Sequence, residues 1–174
     1  MRDEAEFVEF AQAARDRLRR TAFLMCGDWH QASDHVQEAL IRVYVAWPRL
    51  TRAGGEYAYA RRAVVSAVID HARRRSSTEV AGTDDHDVPS GQDLAEHVSA
   101  RSALMAALAK LPPRQRACVV LRYFEDLSVT ETAAVLGCSE GTVKSQTSRG
   151  LDSLRSMFDG SPLGELVTEG APSW

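Results

Sequence analysis

The 174-residue chain has no apolar run near the roughly 18 residues that a membrane-spanning helix needs. Its opening residues, MRDEAEFVEF, are charged where a secretory leader would be apolar, so a cytoplasmic protein with no membrane insertion is expected. Cysteine is scarce: Cys26, Cys118 and Cys138 are odd in number and far apart, which argues against a disulfide framework and for reduced thiols. Cys26 lies near His30 and His35, but no second pair of ligands follows, and neither a metal nor another cofactor is expected. Glycine-rich phosphate loops, alternating strand patterns and internal repeats are also missing. No stretch gathers a nucleophile, a base and an orienting group, since Asp70 and His71 fall on different faces of one helix; an enzyme is the least supported class.

Lysine is nearly absent as well, and 19 of the 21 basic residues are arginine, the side chain suited to bidentate phosphate and carboxylate contacts. A GC-rich genome would produce the same bias. The net charge of −3 is unevenly spread. Residues 1–78 carry 13 arginines against ten acids, whereas 79–97 carry six acids and no Lys or Arg. Residues 98–156 then carry eight bases against five acids, and the tail 157–174 adds three acids. Two mildly basic blocks are thus joined by an acidic segment.

That segment lacks helical periodicity and is rich in Gly, Pro, Ser and Asp, so it reads as a flexible linker between two helical halves. In the first half, Phe7, Phe10, Ala14, Leu18 and Ala22 repeat at helical spacing. A second helix places Val36, Leu40, Tyr44 and Trp47 inward, with Asp34, Gln37, Glu38 and Arg42 on the other side. Pro48 ends it, and a third helix turns Tyr57, Ala60, Val64, Ala67, Val68 and His71 inward. Its outer face carries Tyr59, Arg62, Ser66, Asp70 and Arg73. Basic groups beside aromatics can hold phosphates and stack unpaired bases, although a solvated face ending in a dipole-complementing arginine run fits equally plain rules.

In the second half, Leu104, Met105, Leu108 and Leu111 form one apolar stripe, and Pro112-Pro113 interrupts it. Ser128 and Glu131 make a capping-box pattern, small Ala133 and Ala134 permit close helix approach, and Gly137 supplies a turn. Ser139 caps the next helix, which turns Val143, Thr147, Gly150, Leu151, Leu154 and Phe158 inward. A helix, a short glycine turn and a second helix make a helix-turn-helix. The outward residues Ser139, Glu140, Thr142, Lys144, Ser145, Gln146 and Arg149 crowd toward the N-terminus of the second helix, where such motifs meet base edges in the major groove. Arg114, Arg116 and Arg122 are further candidates for phosphate contact, with a solubilising surface role left open.

The run LPPRQRACVVLRYFEDLSVTETAAVLGCSEGTVKSQTSRGLDSLR resembles domain four of the extracytoplasmic-function (ECF) sigma factors of bacterial RNA polymerase, of the actinobacterial sigma-E-like type. ASDHVQEALIRVYVAW and AYARRAVVSAVIDHARRR resemble domain two of the same family. The resemblance implies an all-α protein of two small helical domains: residues 1–76 for core binding and minus-ten recognition, an acidic linker over 77–97, residues 98–158 for minus-thirty-five recognition, and a tail over 159–174. It implies that Asp34, Gln37 and Glu38 dock on the clamp helices of the largest polymerase subunit, with the flap of the second largest as a further contact. It assigns Tyr59, Arg62, Ser66, Asp70 and Arg73 to the minus-ten element, and the polar start of the last helix to the minus-thirty-five element. Promoter DNA and an anti-sigma factor join core polymerase as the partners the family admits. The acidic linker, with Glu79, Asp84, Asp85, Asp87, Asp93 and Glu96, would suit the basic RNA path of the polymerase. Tyr57, Tyr59 and Gly54-Gly55 depart from the usual family pattern, which bears on individual minus-ten contacts. A stand-alone helix-turn-helix regulator and a helical protein-binding adaptor remain as the other readings.

Overall fold

The computed structural model describes residues 4–50, 55–78 and 95–158, and all the regular structure among these residues is helical. Helix α1 spans Glu4–Cys26 and ends where Gly27 takes a left-handed φ of 80° and donates its N–H to the Phe23 carbonyl. The Asp28 carboxylate then caps α2, Trp29–Ala46, by accepting from the Gln31 N–H at 2.8 Å. A short 3-10 turn, Trp47–Arg49, forms at Pro48, and α3 runs Gly55–Thr78.

The second half opens with α4, Ala95–Lys110, and α5, Pro113–Val119. The chain then widens into a π-helical turn, Val120–Phe124, in which the Glu125 N–H reaches back five residues to the Val120 carbonyl. Helix α6, Val129–Leu136, starts in the complete Ser128–Glu131 capping box and ends at Gly137, whose φ of 62° is the left-handed geometry glycine tolerates best. Helix α7 is Glu140–Phe158. Of the acidic linker and the tail, residues 79–94 and 159–174 lie outside the described residues.

The inward stripe expected for α7 is met in full, with Val143, Thr147, Gly150, Leu151, Leu154 and Phe158 all buried. Gly150 is needed for this packing, because a Cβ there would stand 2.9 Å from Val119 Cγ2 of α5. Two expectations are corrected. Tyr44 is 50% exposed, meeting Phe7 in a T-shaped contact at 4.9 Å while Trp47 takes the buried place in the core, and Leu104 lies at the outer margin of the α4 stripe.

The core does not stop at the linker. Ala117, Val120, Leu121 and Leu127 pack into the cluster formed by α1, α2 and α3. Helix α3 is therefore covered on two sides, and Ala63 and Val65 are buried beside the residues expected to face inward.

Candidate nucleic-acid and polymerase interface

On α2, Asp34, Gln37 and Glu38 are all exposed and share one face. Glu38 is held by its own helix, its Oε1 accepting from Arg42 Nη2 at 2.5 Å with both side chains about half exposed. An exposed pair of this kind is worth only a few tenths of a kcal/mol, so an incoming cation can displace Arg42 at little cost. The strip continues into Ile41, 60% exposed, and Val45, 72% exposed, which follow at helical spacing. Sequence reading missed this apolar continuation because it sought only the charged motif. Under the strip, the buried His35 ring meets His71 of α3 edge-on at 5.2 Å. Burial first, and then the neighbouring His71, push the His35 pKa down.

Along α3, Tyr59, Arg62 and Arg73 are exposed, and Ser66 and Asp70 are half-buried. Asp70 organises this face: one oxygen receives Ser66 Oγ at 3.5 Å and the other lies 3.5 Å from Arg73 Nη2. At the start of α7, Ser139 is the cap, its Oγ accepting from the Thr142 N–H at 3.1 Å and lying 2.9 Å from Thr142 Oγ1. Glu140 accepts from Thr130 Oγ1 of α6 at 2.7 Å, and Ser145 Oγ donates to the Thr142 carbonyl. Lys144 and Arg149 are exposed, and Gln146 is half-buried.

The two candidate DNA faces are not separate. Arg62, Ser66 and Asp70 of α3 line the same cleft as Arg114 of α5 and Thr142 and Gln146 of α7. Arg116, expected among the surface cations, is instead buried: its Nε donates to the Leu24 carbonyl in the last turn of α1 at 2.6 Å, where helix carbonyls lack partners. Burial lowers its pKa to about 10. Arg122 also turns inward and donates to the Leu127 carbonyl.

Sequence reading missed Glu125 altogether. Its side chain is fully removed from solvent, yet among the described residues its partners come from the first half. Arg17 Nη2 of α1 donates at 3.0 Å, Thr21 Oγ1 donates to the other carboxylate oxygen, Tyr57 Oη donates at 3.4 Å, and Arg61 Nη1 stands 3.6 Å away. Arg17 and Arg61 also lie over the Tyr57 ring, at 4.8 and 5.6 Å from its centroid. Burial, followed by the Glu125 charge, pushes the Tyr57 pKa up to about 12, so the phenol stays a donor. In the sequence this glutamate sits in FEDLS and looks like part of a solvated loop. Its partners run from Arg17 to Arg61, the farthest 108 residues away, beyond any local signal.

The Sigma-70 region 2 family matches residues 10–78, and Sigma-70, region 4 matches residues 101–154. The RNA polymerase sigma-E factor of Streptomyces avermitilis is 37% identical over 164 residues, covering 94% of this chain and 91% of the relative. Among solved structures, the Mycobacterium tuberculosis extracytoplasmic function sigma factor SigJ is 28% identical at a TM-score of 0.62, covering 84% of this chain and 52% of that one. The chain belongs to the ECF sigma factor family. The fold is shared more widely: the sigma factor RpoE of Bartonella quintana, solved in complex with the anti-sigma factor NepR, superimposes at a TM-score of 0.65 with 20% identity, over 89% of this chain and 98% of that one. As a sigma factor, the protein acts with RNA polymerase core in promoter-specific transcription initiation. Region 2 covers most of α1 with α2 and α3, and region 4 covers most of α4 through α7.

Proposed function

We propose that the sigma factor docks on core polymerase through the α2 strip and reads a bipartite promoter with the faces of α3 and α7. On this reading, residues 1–76 bind polymerase and hold the opened minus-ten strand, residues 98–158 read the minus-thirty-five duplex, residues 77–97 link them, and residues 159–174 are a tail. The single observation that carries it is the α2 strip. Asp34, Gln37 and Glu38 lie open on one face and run into exposed Ile41 and Val45, a charged register beside an apolar anchor.

In the minus-ten role, Tyr59 offers a ring for stacking, Arg62 and Arg73 meet phosphates, and Ser66 and Asp70 keep Arg73 in register. In the minus-thirty-five role, Ser139 and Glu140 are committed to capping α7 and tying it to α6. Base readout then falls to Lys144, Gln146 and Arg149, with Thr142 and Ser145 beside them. The protein works in the cytoplasm and carries no catalysis of its own; the polymerase supplies the chemistry.

The test is reconstitution with bacterial core polymerase. Glu38→Arg should weaken core binding by at least tenfold while the circular dichroism spectrum is unchanged, because the side chain is exposed. Core binding that is indifferent to charge reversal at both Asp34 and Glu38 would remove the docking assignment. Specific duplex binding without polymerase would favour the stand-alone regulator instead.

A further inference from the structure

Two of the three cysteines, far apart in the sequence, meet in the fold. Cys118 of α5 and Cys138 of the turn between α6 and α7 line one cleft of about 190 Å³, and Arg62 and Arg114 line it with them. The sulfurs are near enough for the charge of one to bear on the other, while Arg114 acts on Cys118 in the opposite sense. Cys26 has no place in this cleft; it ends α1, and its thiol donates to the Asp28 carbonyl at 3.3 Å.

The pair is chemically unequal. Cys118 is only 1% exposed, and burial, followed by the neighbouring Cys138, pushes its pKa up to about 11, so it stays a protonated thiol. Cys138 is half-buried and sits in a turn, where rotation about its Cα–Cβ bond moves the sulfur without breaking a helix. A partly exposed thiol beside guanidinium groups is in the kind of surroundings that favour its reactive form. In a reducing compartment, the disulfides that do form are chiefly transient and redox-responsive.

We propose that Cys138 and Cys118 form a modification site at which a hydroperoxide closes a disulfide, and that the cross-link loosens the hold of α7 on DNA. The Cys138 thiolate attacks the peroxide: an S–O bond forms, the O–O bond breaks, and the proton given up by the thiol leaves on the departing oxygen as an alcohol, or as water where the oxidant is hydrogen peroxide. Cys118 then attacks the sulfur of this sulfenic acid. The S–S bond forms, the S–O bond breaks, and the hydroxyl leaves as water with the Cys118 proton. Both thiols are oxidised, and the hydroperoxide is reduced to alcohol and water.

The effect on DNA rests on the minus-thirty-five role of α7. Cys138 donates its N–H to the Ala133 carbonyl at 3.1 Å, closing α6, and the next residue is Ser139, the cap of α7. A disulfide holds its two Cα atoms within about 7 Å of each other. The cross-link therefore fixes the turn to α5 and shifts the cap behind which Thr142, Lys144 and Gln146 project.

The full chain, first reduced and then given a small excess of hydrogen peroxide, is read by intact mass and peptide mapping. Its mass should fall by that of two hydrogens, one peptide pair should join Cys118 to Cys138, Cys26 should remain open to alkylation, and dithiothreitol should reverse the change. Cys26→Ser should keep the cross-link, whereas Cys138→Ser and Cys118→Ala should abolish it with the helical circular dichroism signal retained. Should the buried Cys118→Ala lose that signal, Cys138→Ser decides. Each form is then titrated onto core polymerase, and the holoenzyme onto promoter DNA selected by run-off transcription. Oxidation should leave core affinity unchanged and weaken promoter binding by about tenfold in the wild type, with no change in Cys138→Ser. Oxidation that stops at a Cys138 sulfinate, or that leaves both thiols free, would overturn the site. A cross-link that leaves promoter affinity unchanged would remove the effect on α7. A reduced chain that never binds core would sink the polymerase reading, while the mass analysis would still decide the thiol site.

Discussion

The α2 strip and the α3–α7 cleft present the same kinds of side chain under opposite conditions. Asp34, Gln37 and Glu38 stand open to solvent, with Glu38 in an exposed contact with Arg42. Arg62, Ser66, Asp70, Thr142 and Gln146 line one cleft formed where the halves pack together. The difference lies in what supports each face. The strip rides on one helix whose far side fills the first core, whereas the cleft exists only because α5 and the turn after it join that core. The cleft of this sigma factor thus depends on the junction between regions as well as on the residues of each motif.

The comparison breaks most severely at Leu121, which is fully buried where the turn meets α1 and joins the first core. Leu121→Ala should cost about 2–5 kcal/mol in urea unfolding. Hydrogen exchange should rise in α3 and α6 well before it rises in α2. Gly150→Ala should cost about 1–3 kcal/mol, since the new methyl meets Val119 at 2.9 Å and overpacking exceeds the gain in helix propensity. Pairing it with Val119→Ala should recover part of that loss in the same unfolding assay, and the α2 strip should be unaffected throughout.

A smaller effect sharpens the other side. His35 has a folded pKa below its ordinary value of 6.5, so below about that pH the unfolded chain binds more protons than the folded one. The stabilisation is therefore present above pH 6.5 and is lost as the pH falls through the folded value. The slope is at most about 1.4 kcal/mol per pH unit for one proton. The groups facing His35 are His71 and Arg74 of α3, with Asp34 and Glu38 on its own helix. His35→Gln should flatten the acid limb of a stability-versus-pH curve. Smallest of all, Arg42→Ala should change stability by no more than about 0.5 kcal/mol, because it ends only an exposed pair. By freeing Glu38 it should leave core binding equal or slightly tighter in the same titration.

Local rules carried far in this chain. The Ser128–Glu131 box, the Ser139 cap, the Gly137 turn and the whole inward stripe of α7 follow from spacing and capping chemistry, and all are present. Even at short range, periodicity placed Tyr44 and Leu104 too far inward, because a helical stripe has margins and packing decides how wide it is. Contacts between the halves had no local trace. Arg116 was expected at the surface and Glu125 was passed over, because their partners sit across the acidic linker and a single arginine or glutamate carries no mark of the carbonyl or guanidinium it will meet. The candidate promoter residues were legible one by one from the helix-turn-helix pattern and the outer face of α3, whereas their convergence on one cleft was not.

The wide turn at Val120–Phe124 puts one more residue into the helix path than an ordinary α-helical exit would hold. Successive helical positions are about 100° apart around the axis, so that single insertion decides the compass bearing of everything just beyond it. Deleting one residue from this turn would restore regular winding and swing the Glu125 carboxylate off α1. Spacing within these five residues therefore works as a length gauge: a chain shorter by one could keep every helix and still lose the bond between its two halves.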